Sequence, residues 1–170
     1  MDNIILIGFM GSGKTEVGRL LAKDLKLKYV DTDALIEAEQ HRSINEIFEK
    51  NGEPAFREME SKMIEALKGK KGRVISTGGG IILRPENVKK LKKLGTLVLL
   101  WADPETVHKR VRDTGDRPLL NVADPLAKIR EILSFREPIY RSVADFAVDT
   151  SRLSPEDACN RIKKCLEEEK

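Results

Sequence analysis

Short apolar runs alternate with longer amphipathic stretches along the whole chain. The apolar runs predict strands at residues 3–7, 28–31, 73–76, 96–101 and 146–149. The stretches between them repeat apolar residues at the spacing of one helix face. Because strands that alternate with helices favour a parallel sheet covered on both faces, we expect an α/β fold.

Polar residues mark the starts of several predicted helices. Asp103, Asp124 and Ser154 each precede a proline, whose missing amide proton is harmless in the first turn of a helix. Ser43 and Glu46 have the spacing of a capping box, in which each side chain bonds to the backbone of the other residue. These positions predict where four helices begin.

Two predicted helices carry an apolar stripe that we expect to face the core. The apolar positions repeat three or four residues apart, which places them on one side of a helix. The first stripe is Val17, Leu20, Leu21 and Leu25, and the second is Phe56, Met59, Met63 and Leu67.

Two segments fit this alternation poorly. Residues 32–60 contain helices where a short crossover would have been sufficient, and residues 112–124 contain turn residues and charges with little periodicity. We expect both segments to be mobile and to cover a site. A chain of this length predicts one domain, so we assign both segments to a single domain that spans residues 1–170.

Composition narrows the class of protein. The chain has 170 residues, of which 40% are apolar and 35% are charged, and no apolar run approaches the ~20 residues that a membrane span needs. A strand at the start of the chain argues against a signal peptide, so we expect a cytoplasmic protein. The net charge of +3 is too small an excess to favour nucleic-acid binding.

A glycine-rich loop follows the first predicted strand. Residues 8–15 read GFMGSGKT and fit the pattern G-x-x-x-x-G-K-[ST] between a strand and a helix. In this pattern backbone amides surround an anion, the lysine adds a mobile cation, and the last hydroxyl can bind Mg²⁺. The loop therefore predicts a site for the β and γ phosphates of a nucleoside triphosphate.

Phosphate binding alone does not separate kinases from hydrolases or switches. The chain lacks the Asn-Lys-x-Asp sequence with which GTPases usually read guanine. Motor and transport ATPases usually have a strand that ends in a carboxylate for Mg²⁺, but strand 73–76 is followed by TGGG. Asp103 also ends a predicted strand, although the proline after it favours a helix cap.

Two carboxylates follow the second predicted strand. Residues two apart in an extended chain point the same way and lie ~7 Å apart, so Asp31 and Asp33 could address one site. One could hold a water of Mg²⁺ while the other faces an acceptor hydroxyl, as phosphoryl transfer requires. Alternatively, Asp33 only caps a helix that begins near Ala34. Spacing alone does not choose between the two interpretations.

Three arginines and a glycine run complete the candidate chemistry. A guanidinium binds carboxylate or phosphate through two parallel hydrogen bonds, which makes Arg57, Arg117 and Arg136 candidates for anion binding. Each arginine, taken alone, is also compatible with a surface ion pair. Residues 78–80 are either bare backbone at the ligand-binding edge of the sheet or only a tight turn.

Taken in order, these motifs resemble those of shikimate kinases over nearly the whole chain. Only the phosphate loop is shared with many other families, whereas the ordered set is specific. The set comprises GFMGSGKT at 8–15, D-x-D at 31–33, EPAFREME at 53–60, TGGG at 77–80, RPLL at 117–120 and R-x-P-x-Y at 136–140.

The resemblance implies a fold and an activity. The fold is that of the P-loop kinases related to nucleoside monophosphate kinases: three layers, a five-stranded parallel sheet of order 2-3-1-4-5, a substrate-binding insertion at about 32–60 and a lid at about 112–124. The activity is phosphorylation of the 3-hydroxyl of shikimate by ATP with Mg²⁺, a step of aromatic amino acid biosynthesis. The implied partners are ATP and shikimate, without nucleic acid or membrane, and the implied state is a cytoplasmic monomer.

The resemblance also implies a role for each candidate residue. Asp33 would engage the acceptor hydroxyl as base, Arg57 and Arg136 would bind the carboxylate of shikimate, and Lys14 and Arg117 would neutralise the transferring phosphoryl group. The other implied contacts are Gly78, Gly79 and Gly80 for substrate, Thr15 and Asp31 for Mg²⁺, and Gly11, Ser12, Gly13, Glu16, Arg110, Arg152 and Leu153 for the nucleotide. Glu16 departs from the family pattern, in which Ser or Thr is common at this position.

Two other functions remain open. A kinase for another hydroxy acid, such as gluconate, would also bind a carboxylate, although RPLL together with R-x-P-x-Y favours shikimate. A ligand-sensing domain that lost catalysis would have no need for Lys14, Asp33 and Arg117 together.

Overall fold

Within residues 2–112 and 118–168, which the computed structural model describes, five parallel strands form one sheet. The strand order is β2-β3-β1-β4-β5. The strands are β1 Asn3–Ile7, β2 Lys28–Asp31, β3 Arg73–Ser76, β4 Gly95–Trp101 and β5 Phe146–Asp149. The predicted strands and their order are confirmed, and β4 begins one residue earlier than expected.

Helices connect the strands and cover both faces of the sheet. They are α1 Lys14–Asp24, α2 Thr32–Gln40, α3 Ile44–Ala66, α4 Pro85–Leu94, α5 Pro104–Val111, α6 Pro125–Val143 and α7 Pro155–Glu168, with short 3₁₀ helices at Ile81–Leu83 and Pro118–Leu120. In the part of the chain that the structure describes, none of the helices combines the length and the apolar character that crossing a bilayer requires.

The predicted helix starts are confirmed by their caps. The side chains of Asp103 and Asp124 accept hydrogen bonds from amides in the first turns of α5 and α6. Ser43 and Glu46 form the capping box at the start of α3, and the Ser154 hydroxyl accepts from an amide in the first turn of α7. Each cap satisfies a backbone amide that the helix itself leaves without a partner.

Each face of the sheet has its own core. Ile4 and Leu6 of β1 pack on the side covered by α1 and α7, whereas Ile5 and Ile7 pack on the side covered by α3, α4, α5 and α6. This alternation follows from the two-residue period of a strand. All four side chains are buried, and burial of such a side chain contributes about 1.5–3 kcal/mol. The result is a three-layer structure.

The two apolar stripes behave differently. The stripe on α1 packs as expected on the core beside α7. The stripe on α3 is also buried, as expected, but it is divided between two cores: Phe56, Met59 and Met63 pack with Ile36 of α2, whereas Leu67 packs in the core covered by α4, α5 and α6. Residues 32–60 therefore contribute to a small core of their own, which supports one wall of the candidate site.

The loop between β1 and α1 lies where the chain connections diverge. Strand β1 has β3 on one side and β4 on the other, so the loops that leave neighbouring strands run in opposite directions and open a crevice. Gly13 ends the loop with a φ of +96°, a conformation that glycine adopts without a steric penalty. The amides at the start of α1 therefore face this crevice.

Gly18 tests how tightly α1 packs on the sheet. A Cβ at Gly18 would lie 2.8 Å from Cε2 of Tyr29 and 3.1 Å from Cδ1 of Leu6. Gly18→Ala gains about 1 kcal/mol of helix propensity, but overpacking at such distances costs about 1–3 kcal/mol. We therefore expect a net loss of up to about 2 kcal/mol in the free energy of unfolding, measured by urea denaturation.

Lys23→Ala, at an exposed position of the same helix, is the matched control. We expect it to change the free energy of unfolding by less than about 0.5 kcal/mol. Stabilisation by Gly18→Ala would show that α1 can move away from Tyr29 without loss.

Candidate functional site

A cavity of about 870 Å³ opens at the carboxyl edge of the sheet, beside the loop between β1 and α1. Its volume lies in the range of small-molecule sites. The candidate residues that line it are Gly11, Gly13, Lys14, Thr15, Glu16, Asp31, Asp33, Arg57, Gly78, Gly79, Gly80, Arg110, Arg136 and Leu153. Residues that are far apart in sequence thus meet around one space.

Two of the candidate residues that the structure describes, Ser12 and Arg152, do not contribute to this lining. Ser12 belongs to the phosphate loop, but its side chain is buried away from the cavity, and Arg152 is exposed outside the cavity. Arg117 lies outside the described residues, as do the neighbouring residues 113–116 of the expected lid. The lid therefore stays a prediction.

The phosphate loop holds its lysine close to the backbone. The Nζ atom of Lys14 donates hydrogen bonds to the carbonyls of Gly8, at 2.8 Å, and Phe9, at 2.7 Å. The charged group therefore lies across the loop, at the amino end of α1. Positive charge and helix amides together favour an anion at this position.

Asp31, and not Asp33, caps α2. Oδ1 of Asp31 accepts hydrogen bonds from the amides of Asp33, at 3.0 Å, and Ala34, at 3.2 Å, and the helix begins at Thr32. The extended geometry that we expected for this segment is therefore wrong, as is the alternative in which Asp33 is the cap. Both carboxylates still line the cavity, because β2 ends at its edge and the first turn of α2 continues along it.

Residues 78–80 are bare backbone because charged groups pack directly on them. A Cβ at Gly78 would lie 2.7 Å from Oδ1 of Asp33 and 2.7 Å from Oε1 of Glu60, and a Cβ at Gly80 would overlap the guanidinium of Arg57. The segment is also a turn that leads into a 3₁₀ helix. The glycines are therefore both bare backbone at the edge of the sheet and a tight turn. Because they have no side chains, three charged groups can lie together at one wall of the cavity.

Arg57 and Arg136 are both buried, in contrast to the long basic side chains of the surface. Arg57 donates to Glu60, at 2.8 Å, and to Glu53, at 2.9 Å. Arg136 lies over the ring of Phe9, with 5.8 Å from Cζ to the ring centroid, and makes no ion pair within the described residues. A buried cation without a carboxylate partner is unfavourable unless an anion joins it. The geometry therefore favours an anionic ligand beside Arg136.

Glu60 is a site residue that the sequence motifs did not identify. Its side chain is fully buried, Oε2 accepts from Arg57, and Oε1 has no hydrogen-bond partner within the described residues. Burial raises the pKa of Glu60 to about 7, the charge of Arg57 opposes this rise, and Asp33 adds to it. The sequence did contain one indication of this contact. Glu60 follows Arg57 by three residues in a predicted helix, a spacing at which two side chains meet.

Thr150 is a second residue that the motifs did not identify. Its hydroxyl donates to the carbonyl of Ser12, at 2.8 Å, and Arg110 donates to the carbonyls of Thr150, at 2.7 Å, and Gly11, at 3.0 Å. These bonds join the phosphate loop to the segment between β5 and α7. They also fix the orientation of the Arg110 guanidinium at the rim of the cavity.

Thr15 and Asp31 are the groups that fit Mg²⁺. Both line the cavity next to the phosphate loop, and both offer oxygen atoms. Mg²⁺ prefers oxygen ligands, keeps several waters, and takes most of its other ligands from bound phosphates. One hydroxyl and one carboxylate are therefore an adequate protein contribution.

The pKa of Glu60 predicts how stability depends on pH. Because the folded-state pKa is about 7 and the ordinary value is 4.5, the folded protein binds one more proton than the unfolded chain between these values. The wild type should lose stability relative to Glu60→Gln as pH rises from 4.5 to 7, by roughly 3 kcal/mol in total. Urea denaturation of both proteins at intervals from pH 4.5 to 8 measures this difference.

Glu58→Gln is the control, because Glu58 lies on the same helix, is exposed, and has a pKa that Arg84 lowers. Its stability relative to the wild type should not change between pH 5 and 8. A flat difference for Glu60→Gln as well would show that Glu60 is ionised throughout this range.

Comparisons with known sequences agree with the motifs. A family model described as shikimate kinase matches residues 10–167. A shikimate kinase from Thermodesulfovibrio yellowstonii is 48% identical over 164 residues, which are 96% of this chain and 94% of that protein. One from Pelotomaculum thermopropionicum is 46% identical over 168 residues, 99% and 97% of the two chains.

Comparisons with solved structures agree with the fold. A shikimate kinase from Acinetobacter baumannii, in complex with shikimate, matches with a TM-score of 0.96 and 38% identity over 100% of this chain and 95% of that one. The enzyme from Aquifex aeolicus gives a TM-score of 0.85 and 37% identity over 97% and 96% of the two chains. The resemblance seen in the ordered motifs is therefore confirmed, and this chain belongs to the shikimate kinase family.

Proposed function

We propose that this protein transfers the γ-phosphoryl group of ATP to the 3-hydroxyl of shikimate, giving shikimate 3-phosphate and ADP. The observation that carries the proposal is that two buried arginines, Arg57 and Arg136, line the same cavity as Asp33 and the phosphate loop. Relatives that match nearly the whole chain are named shikimate kinase. In the cell, the reaction would be a step of aromatic amino acid biosynthesis. The enzyme would act as a monomer in the cytoplasm.

The acceptor is held by its carboxylate. Arg57 and Arg136 offer guanidinium groups that bind a carboxylate through paired hydrogen bonds, and their burial weakens screening by water and salt. Glu53 and Glu60 keep the Arg57 guanidinium charged and oriented. Gly79 lines the cavity beside these groups, and its backbone would supply a further contact to the acceptor.

The reacting hydroxyl faces Asp33. From the first turn of α2, its carboxylate accepts the hydroxyl proton as the bond to phosphorus forms. Lys14 and the loop amides neutralise the charge on the transferring group, and Arg117 is assigned to the same task. Thr15 and, through water, Asp31 would hold Mg²⁺, which shields the β and γ phosphates when it is bound.

The nucleotide base lies on the side of the cavity formed by Arg110 and Leu153. Arg152, beside Leu153, and Glu16, on α1, complete the proposed nucleotide contacts, and Ser12 contributes through its backbone. Residues 112–124 are proposed to close over both substrates. Closure excludes water, which would otherwise compete with the acceptor for the phosphoryl group.

Coupled ADP release tests the proposal. We expect release to require ATP, Mg²⁺ and shikimate together, and to be negligible without an acid or with gluconate. Release with gluconate but not shikimate would indicate a kinase for a different hydroxy acid. Nucleotide binding without release under any of these conditions would indicate a ligand-sensing domain.

Asp33→Asn tests the assigned base. The amide cannot accept the hydroxyl proton, so kcat should fall by about a hundredfold or more, while Kd for shikimate changes little because both arginines remain. Asp103→Asn is the matched control, since asparagine also caps helices. Full turnover by Asp33→Asn would refute its role as the base.

Thr150→Val tests the bonds that orient Arg110. Valine matches threonine in size but cannot donate to Ser12 or accept from Arg110. We expect KM for ATP to rise about fivefold to tenfold, the equivalent of one or two hydrogen bonds, and KM for shikimate to stay within twofold. An equal rise in both constants would contradict a role confined to the nucleotide side.

A further inference from the structure

Tyr140 is the last residue of the R-x-P-x-Y motif, and none of the roles described above involves it. It lies on α6, one helical turn after Arg136, and is fully buried. A buried phenol normally has a hydrogen-bond partner, because leaving its hydroxyl without one is costly. The partner that a buried tyrosine takes therefore indicates what it holds in place.

The hydroxyl of Tyr140 donates to the carbonyl of Gly79, at 2.5 Å. Burial raises the pKa of Tyr140 to about 12, while the charge of Arg136 and hydrogen bonding with it act in the opposite direction. The hydroxyl is therefore protonated at neutral pH and remains a donor. It connects α6 to the glycine segment across 61 residues of sequence.

Gly79 lies between Tyr140 and the phosphate loop. A Cβ at this glycine would lie 3.3 Å from the carbonyl oxygen of Gly8, 3.5 Å from the Tyr140 hydroxyl and 3.6 Å from the amide nitrogen of Met10. The backbone of Gly79 thus has the phosphate loop and the Tyr140 hydroxyl as neighbours on the same side. Holding its carbonyl fixes the rotation of a residue that would otherwise adopt many conformations.

Tyr140 is also adjacent to the buried cation of the acceptor site. Arg136 is 7% exposed and has the ring of Phe9 on one side, with Tyr140 close enough to interact with its charge. One phenol therefore bonds to the backbone, and lies near the guanidinium, that the proposed function assigns to the acceptor.

We propose that Tyr140 is a positioning residue for the acceptor, whose hydroxyl holds the Gly79 backbone and the Arg136 guanidinium in the arrangement that receives the carboxylate of shikimate. The inference rests on the proposed function, because it takes shikimate as the acceptor. Tyr140 does not line the cavity, so it acts through its two neighbours and does not touch the substrate.

Tyr140→Phe removes one oxygen atom and keeps the ring that fills the core. We expect KM and Kd for shikimate to rise about fivefold to tenfold, since one buried hydrogen bond is lost, and KM for ATP to stay within twofold. Steady-state kinetics with each substrate varied in turn measures the two KM values, and calorimetric titration of shikimate measures Kd.

Ile129→Val is the matched control. Ile129 is fully buried on the same helix and in the same core, and the substitution destabilises proteins by about as much as the loss of one hydrogen bond. A general loss of stability would therefore affect both variants alike. We expect Ile129→Val to keep the wild-type KM for shikimate.

Partial unfolding of Tyr140→Phe would raise the apparent constants for both substrates alike, because only the folded fraction binds, whereas the proposal predicts a rise for shikimate alone. If the variant is too unstable for kinetics, shikimate is titrated into protein saturated with ADP, which stabilises the folded form by mass action. A shikimate Kd equal to that of Ile129→Val, or equal rises in the constants for both substrates, would overturn the inference. Failure of the wild type to phosphorylate shikimate would instead overturn the proposed function.

Discussion

Keeping the guanidinium of Arg57 charged inside the protein requires carboxylates beside it, and Glu53 and Glu60 meet this requirement. Transfer of an ion from water into the interior is strongly unfavourable unless close partners compensate for the lost hydration. Glu60 is fully buried, and it lines the cavity together with Arg57. The ion pair of Arg57 and Glu60 is therefore closed to bulk water on one side and faces the cavity on the other. The rest of the acceptor site is arranged around this pair.

The glycine segment after β3 makes that arrangement sterically possible. Any side chain at Gly78 would collide with Asp33 and Glu60, and any side chain at Gly80 would collide with Arg57. Charged groups from α2 and α3 can therefore approach one stretch of backbone from the same side. At Gly79, the same backbone lies next to the start of the phosphate loop, so in the proposed complex direct packing would set the distance between the acceptor and the phosphates.

Both substrates would thus be held by groups on rigid elements. The acceptor side combines α2, α3 and α6 with the backbone after β3, whereas the nucleotide side combines α1, α5 and the segment after β5. Thr150 joins the nucleotide side to the phosphate loop through the carbonyl of Ser12. Phosphoryl transfer depends mainly on position and charge, so a frame that fixes both sides relative to the phosphate loop provides much of what catalysis requires.

Local features of this protein could be predicted well from its sequence. The strands, the helix caps at Asp103 and Asp124 and the phosphate loop each depend on residues close together along the chain. The ordered motifs were sufficient to identify the family.

Contacts between distant segments could not be predicted in this way. Spacing alone left open whether Asp33 addresses the site or only caps a helix, and the structure shows that Asp31 is the cap of α2. It did not show that Glu60 is buried against Arg57 or that Tyr140 holds Gly79. The sequence alone determined the elements and the chemistry at the edge of each strand, because periodicity and capping act over a few residues. Only the tertiary structure decided which charges are buried together, since burial depends on every segment that packs around them.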